Sequence, residues 1–256
     1  MRKIAILVLD TPIPGLKEKY GDFGDQGIAM LRQSKIAEKY DFVKFTTVGE
    51  FEHPSLQELK DGVYDAVYLS GSRSDSFDDS KPWIRELVAY LREIIQLQAC
   101  DKSFKVKLIG VCFGHQVIGR ALGLPVGRNS LGWEIGINKV VASGSFKETF
   151  DTTDFYIVEM HRDIVKSGDL PQGWNLIGST DKCSSQGFYW ANHVLSFQGH
   201  PEFSTQFTND LVEKRYEDGG FSKEIYEDVI ERGKQFRNDG ANLSDVIMRF
   251  TEEEGK

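Results

Sequence analysis

The feature that most constrains this chain is a repeated pairing: a short unbroken apolar run, then a stretch with helical spacing. Ile4 to Leu9, Phe42 to Val48, Ala66 to Leu69 and Val106 to Val111 are β-rich runs of this kind. Strands covered on both faces read this way, because neither side needs polar residues for water. Between them, Gln26 to Tyr40 and Trp83 to Leu97 carry apolar residues at helical intervals, such as Ile84, Leu87, Val88, Leu91 and Ile95. Lys81-Pro82 sets a proline where a helix can begin. Strands alternating with helices predict an α/β fold with a central, mostly parallel sheet and helices on both faces.

The middle of the chain changes character. Glu134 to Val141, Phe155 to Met160, Trp174 to Ser179 and Val194 to Phe197 are strand-like, with turns between them and no clear helix. They predict a small mixed or antiparallel sheet joined to the parallel one. After Glu202 the sequence is charged and helical. Ile225, Val229 and Ile230, then Val246, Ile247 and Phe250, give each helix one apolar stripe to lay on the sheet. Glu252-Glu253-Glu254 is expected to fray. Gly21 to Gly27 lacks the G-x-G-x-x-G spacing of a dinucleotide loop and opens the first helix instead, with Asp25 as candidate cap. No repeat or linker divides the 256 residues, so residues 1–256 are read as one domain.

Charge narrows the function. Lys and Arg number 31 against 39 Asp and Glu, a net charge of −8. That balance is the wrong footprint for nucleic acid or an anionic membrane, so neither is expected as a partner. No apolar run approaches the roughly 20 residues of a spanning helix. Met1-Arg2-Lys3 before an apolar run resembles a signal peptide, but the run is short and Asp10, Pro12 and Pro14 follow at once. A first strand is the better reading, and the expected location is the cytoplasm or nucleus. Cys100, Cys112 and Cys183 have no regular spacing, so no disulfide framework is expected. No Cys-x-x-Cys, His-Glu-x-x-His or phosphate-loop pattern occurs, and neither metal nor cofactor is expected.

The most informative stretch runs from Lys105 to Gly119. A strand passes directly into Gly110-Val111-Cys112-Phe113-Gly114, and a helical pattern through Val117, Ile118, Ala121 and Leu122 follows. This is a nucleophile elbow with Cys in place of Ser. The glycines permit a sharp strand-to-helix turn. The helix N-terminus favours a thiolate at Cys112. The Phe113 amide points where an oxyanion would sit. The plainer reading is a buried structural cysteine in a strand-to-helix turn.

A second stretch favours the chemical reading. Val194 to Phe197 is a strand that ends in Gln198-Gly199-His200-Pro201-Glu202. A cysteine nucleophile needs a base, and the base needs a group to orient it. His200 and Cys112, both at strand ends, can meet at one sheet edge. Glu202 can hold the imidazole through Nδ1, as a triad acid does. The same residues also suit a helix start, and the two roles are compatible.

Residues 110 to 123 and 198 to 203 together resemble the signatures of the class I, triad-type glutamine amidotransferases. The glutaminase domain of GMP synthetase is one relative. The likeness is closer to free-standing gamma-glutamyl peptidases and fungal amidotransferase-like proteins, and it spans about residues 4 to 205. It implies a flavodoxin-like amidotransferase fold, with helices 206–251 added. It also implies attack on a gamma-glutamyl amide, with Cys112 as nucleophile, His200 as base and Glu202 as acid. Gly71, in Ser70-Gly71-Ser72, matches the loop whose amide completes an oxyanion hole with Phe113. Gln116 matches a glutamine lying against the bound glutamyl group. Trp133 and Glu134 fall in the segment beside the glutamyl pocket, where either can meet a substrate amino group or simply start a strand. His161 and Asp163 match a His-x-Asp element near the rim. Leu122-Gly123-Leu124-Pro125 departs from the paired glycines many relatives carry, away from the chemistry. Asp75, Asp78 and Asp79 read as a solvated turn, with selection of a cationic substrate group as the alternative.

The implied function is hydrolysis of a small gamma-glutamyl substrate, either glutamine or a peptide such as glutathione or its conjugates, through a gamma-glutamyl thioester. The alternatives are a glutaminase subunit that feeds ammonia to a separate synthase and a silent regulatory protein of the same fold; the protein partner is expected to be such a synthase or a second copy of the chain.

Overall fold

The computed structural model describes residues 1–166 and 168–254. β1 (Arg2–Val8) is followed by α1 (Leu16–Tyr20), α2 (Phe23–Leu31), a 3₁₀ turn (Lys35–Lys39), β2 (Tyr40–Thr46), α3 (Leu56–Lys60), β3 (Ala66–Leu69), α4 (Pro82–Cys100), β4 (Lys107–Val111) and α5 (Phe113–Ala121). The middle holds β5 (Val126–Arg128), β6 (Glu134–Ala142), α6 (Gly144–Phe150), β7 (Phe155–His161), β8 (Asp163–Val165), β9 (Trp174–Leu176), β10 (Gly178–Ser179), β11 (Phe188–Trp190) and β12 (Val194–Phe197). Helices α7 (Thr205–Glu217), α8 (Lys223–Gln235) and α9 (Gly240–Thr251) follow.

The fold is α/β. Its central sheet has seven strands in the order β2-β1-β3-β4-β12-β11-β9. The first five are parallel, and β11 and β9 extend the edge antiparallel. A separate antiparallel sheet has the order β10-β6-β7, and β5 pairs with β8. The apolar runs are explained by two cores. Ile4, Ile6, Ile109 and Val111 enter one, with Met30 from α2 and Val246 and Ile247 from α9. Ala5, Leu7, Val67, Leu69 and Leu108 enter the other, with Leu87 and Leu91 from α4 and Val117 from α5. Neighbouring strand residues point to opposite faces, so both faces need apolar side chains. Parallel sheets of this kind bind ligands beyond the carboxyl ends of their strands. Asp10, Gly71, Cys112 and His200 all lie just past such ends.

Several expectations require correction. The stretch 26–40 is not one helix: α2 stops at Leu31, and a 3₁₀ turn carries the chain to β2. Its cap is Asp22, whose side chain accepts from the Asp25 amide at 2.9 Å while Asp25 accepts from the Asp22 amide at 3.0 Å. Asp25 is thus the second half of a capping box. The middle does hold a helix, α6, capped by Ser143 and too short to show a period, since only Phe146 and Phe150 are buried. Trp174 to Ser179 splits between two sheets at Ile177. Gly178 permits the switch, because a Cβ there would stand 2.6 Å from the Val141 carbonyl oxygen.

The C-terminal helices divide their work. α9 covers the central sheet, but Val229 of α8 packs with Ile135 of β6, Val212 and Phe221. Glu252 and Glu253 of the acidic tail are anchored rather than frayed. Glu252 accepts from Lys39 at 2.7 Å and from the Tyr40 hydroxyl at 2.5 Å, and pairs with Arg2. Glu253 accepts from the Tyr189 hydroxyl and the Asn192 amide. Among the described residues, no helix is long and apolar enough to cross a membrane.

Candidate active site

Cys112 links β4 to α5 with φ 50° and ψ −102°. Positive φ in a non-glycine residue is strained, and such strain gathers at functional positions. The strain falls on the cysteine itself. Gly110 and Gly114 serve a different need from the turn freedom expected of them. A Cβ on Gly114 would stand 2.5 Å from the Leu69 carbonyl oxygen, and one on Gly110 would stand 2.9 Å from the Gly114 carbonyl carbon. The glycines let α5 press against β3 and β4, which holds the elbow in place.

His200 follows β12, and its amide donates to the Val158 carbonyl of β7 at 2.7 Å. That bridge ties the two sheets together at the site. His200 Nδ1 lies 2.8 Å from Glu202 Oε1, and both residues are buried. Phe203 stacks on the imidazole with ring centroids 3.9 Å apart. Burial pushes the His200 pKa down, but the charges of Cys112 and Glu202 outweigh it and hold the ring above the usual histidine range.

Gly71 faces this pair: a Cβ there would stand 2.9 Å from His200 Cε1 and 3.9 Å from Cys112 Cβ. Its loop is pinned from both sides. Ser70 Oγ accepts from the Leu9 amide at 2.9 Å and donates to the Gly71 carbonyl at 3.0 Å. Asp10 accepts from the Arg73 amide at 2.9 Å and from its guanidinium at 2.8 Å and 3.0 Å. Phe113 opens α5, so its amide has no intrahelical acceptor. Phe113 follows Cys112 directly, and the Gly71 backbone lies against both Cys112 and His200.

A cleft of about 400 Å³ opens over Cys112 and His200, within the ~300–1,000 Å³ usual for small-molecule sites. Gln116 and Trp133 line it. Gln116 Nε2 donates to the Asp163 carbonyl at 2.9 Å and to Gln198 Oε1 at 3.2 Å, which fixes its side chain. Glu134 does not reach the cleft wall. It is buried behind it, where its Oε2 accepts from Gln186 at 3.1 Å and lies 3.3 Å from His161 Nε2. The acids of the 75–79 loop are also engaged: Asp75 with Arg128, Asp79 with Arg120, and Asp78 with Ser80. The carboxylates of this loop are therefore already engaged within the protein.

Residues not singled out in the sequence complete the setting. Glu159 is fully buried, and its Oε2 lies 3.0 Å from His161 Nε2. Burial lowers the His161 pKa, but Glu134 and Glu159 prevail and raise it, while burial raises that of Glu159. Ligand atoms of Glu134, Glu159 and His161 lie within 4.8 Å of one another. The three side chains form one buried, ion-paired group behind the cleft wall. Gln198 and Phe203 flank the His-Pro-Glu motif, but no pattern marks their partners. Glu159 sits in a strand of otherwise ordinary alternation and carried no signal.

A family model for class I glutamine amidotransferases matches residues 22–217. A glutamine amidotransferase-like protein of Schizosaccharomyces pombe is 30% identical over 250 residues, 96% of this chain and 97% of that one. Gamma-glutamyl peptidase 2 of Arabidopsis thaliana is 28% identical over 264 residues, 98% of this chain and 96% of that one. The crystal structure of a glutamine amidotransferase from Thermotoga maritima superposes with a TM-score of 0.72 at 19% identity, covering 98% of this chain and 99% of that one. The architecture and the sequence match agree, and the chain belongs to the class I glutamine amidotransferase family.

Proposed function

We propose that this protein hydrolyses gamma-glutamyl amide bonds by itself, through a thioester on Cys112. The observation that carries the reading is the strained Cys112 elbow facing a His200–Glu202 pair across one cleft. The relative named gamma-glutamyl peptidase, matched along nearly its whole length, supports the choice of bond.

In this reading the thiolate attacks the gamma-carbonyl, and the oxyanion forms against the Phe113 and Gly71 amides. His200, held as a cation by Glu202 and Cys112, gives its proton to the leaving nitrogen as the C–N bond breaks. Now neutral, it takes a proton from water, which attacks the thioester and releases glutamate. The thiolate and imidazolium are restored. Substrates are glutamine or a gamma-glutamyl peptide such as glutathione or a conjugate of it, and the elements from β1 to α9 act as one catalytic unit.

The test is incubation of purified protein with glutamine, glutathione and a glutathione conjugate in parallel, with products read by mass spectrometry. Release of glutamate by the chain alone, lost in Cys112→Ala, is the expected result. Turnover that starts only when a second protein is added would instead make the chain a glutaminase subunit.

A further inference from the structure

The cleft is rich in arginine although the chain is acidic. Arg73, Arg128, Arg162 and Arg215 line it, against Asp75 and Asp163. Two of these arginines are already neutralised: Arg73 pairs with Asp10, and Arg128 with Asp75 and Asp163. Arg162 and Arg215 have no carboxylate partner among the described residues. The Arg162 guanidinium lies 5.5 Å from the Trp133 ring centre, and Trp133 meets Phe221 edge-on. Stacking of that kind leaves the N–H edge of a guanidinium free.

Position says what these cations can reach. Phe207, Leu211 and Arg215 line the cleft at four-residue steps along α7, one face of one helix. Phe207 packs on Phe203, which stacks on His200, so this face starts beside the proposed base and runs outward. From Phe207 to Arg215 the helix rises about 12 Å. Helical side chains lean toward the N-terminus, which turns Arg215 back toward the catalytic end. Two extended residues span about 7 Å. This face is therefore long enough to run beside a leaving group of two residues, with Arg215 beyond its first turns. Ammonia, the leaving group of glutamine, fills none of it and offers nothing for a cation to hold.

We infer that Arg162 and Arg215 form a carboxylate-binding subsite at the leaving-group end of the cleft, so that the substrate is a gamma-glutamyl peptide with a free C-terminal carboxylate rather than glutamine. This rests on the gamma-glutamyl hydrolase reading above. Arginine is suited to the task because its planar fork matches a carboxylate through two parallel hydrogen bonds.

The experiment compares kcat/KM for glutathione, its C-terminal amide and glutamine, in wild type and in Arg162→Met, Arg215→Met and the double variant. Methionine keeps an apolar stem and removes the charge. Wild type is expected to favour the acid over the amide by about 10- to 100-fold, the range of a charge-assisted contact. In the double variant the acid should fall to the level of the amide. Equal rates on acid and amide in wild type would overturn the subsite while leaving the hydrolase reading intact. Equal losses on glutathione and glutamine in the arginine variants would also overturn it, because the cations would then be holding the glutamyl half. No cleavage of any of the three by wild type would remove the hydrolase reading itself, and the subsite with it.

Discussion

Replacing Glu202 by glutamine tests the electrostatic part of the proposed mechanism. The Glu202 carboxylate lies 2.8 Å from His200 Nδ1, and both groups are buried, so solvent screens their attraction little. Burial alone would push the His200 pKa down, and the charges of Cys112 and Glu202 raise it above the ordinary value. A raised pKa keeps the imidazolium through neutral pH and loses it as pH climbs through the raised value. Glutamine preserves the shape and an accepting oxygen but removes one of the two charges. An opposite charge at this range shifts a pKa by about 1 to 3 pH units. The alkaline limb of kcat/KM should therefore move down by about that much. The rate at its optimum should fall by about 10- to 10⁴-fold, the upper end being the loss when the aspartate of a serine-protease triad becomes asparagine. A pH profile on a gamma-glutamyl substrate reads both effects. An alkaline limb that stays where wild type has it would show that Glu202 does not hold His200 charged.

Three further outcomes follow from contacts around the elbow. Gly71→Ala should lower kcat by about 10²-fold, because its Cβ would stand 2.9 Å from the His200 ring and must displace it; steady-state kinetics, with a melting curve to confirm that the variant is folded, measures this. Gly114→Ala should instead destabilise the fold by about 1–3 kcal/mol, since its Cβ would meet the Leu69 backbone; urea unfolding measures this. Brief iodoacetamide treatment near neutral pH should label Cys112 in the cleft and spare Cys183, which is buried and whose thiol burial pushes up to about 12. Peptide mapping that finds Cys183 labelled first would contradict the arrangement.

The parallel sheet was legible because β1, β3 and β4 are buried on both faces, which forces unbroken apolar runs. The elbow and the His-Pro-Glu stretch were legible because both combine reactive residues with strand ends in adjacent sequence. What could not be read depends on distant partners. Glu134 sits beside Trp133 in sequence, yet alternation on β6 turns it inward to His161 and Glu159. The acidic tail looks solvated until Arg2, Lys39, Tyr40 and Tyr189 are brought to it by folding. α6 is seven residues long, too few for a period to emerge. Gly110 and Gly114 looked like turn residues, and only the packing of α5 on β3 and β4 shows that close approach is their task. The cleft's arginines are scattered between positions 73 and 215, so their convergence is a property of the fold alone.

The central claim is that Cys112 carries the glutamyl group during turnover. Acid quenching of the purified protein during steady-state cleavage of glutathione, followed by peptide mapping, tests it most directly. The account predicts a glutamyl thioester on the peptide containing Cys112, absent in Cys112→Ala together with all turnover. Glutamate release by Cys112→Ala at the wild-type rate, or an adduct found on Cys100 or Cys183 instead, would contradict it.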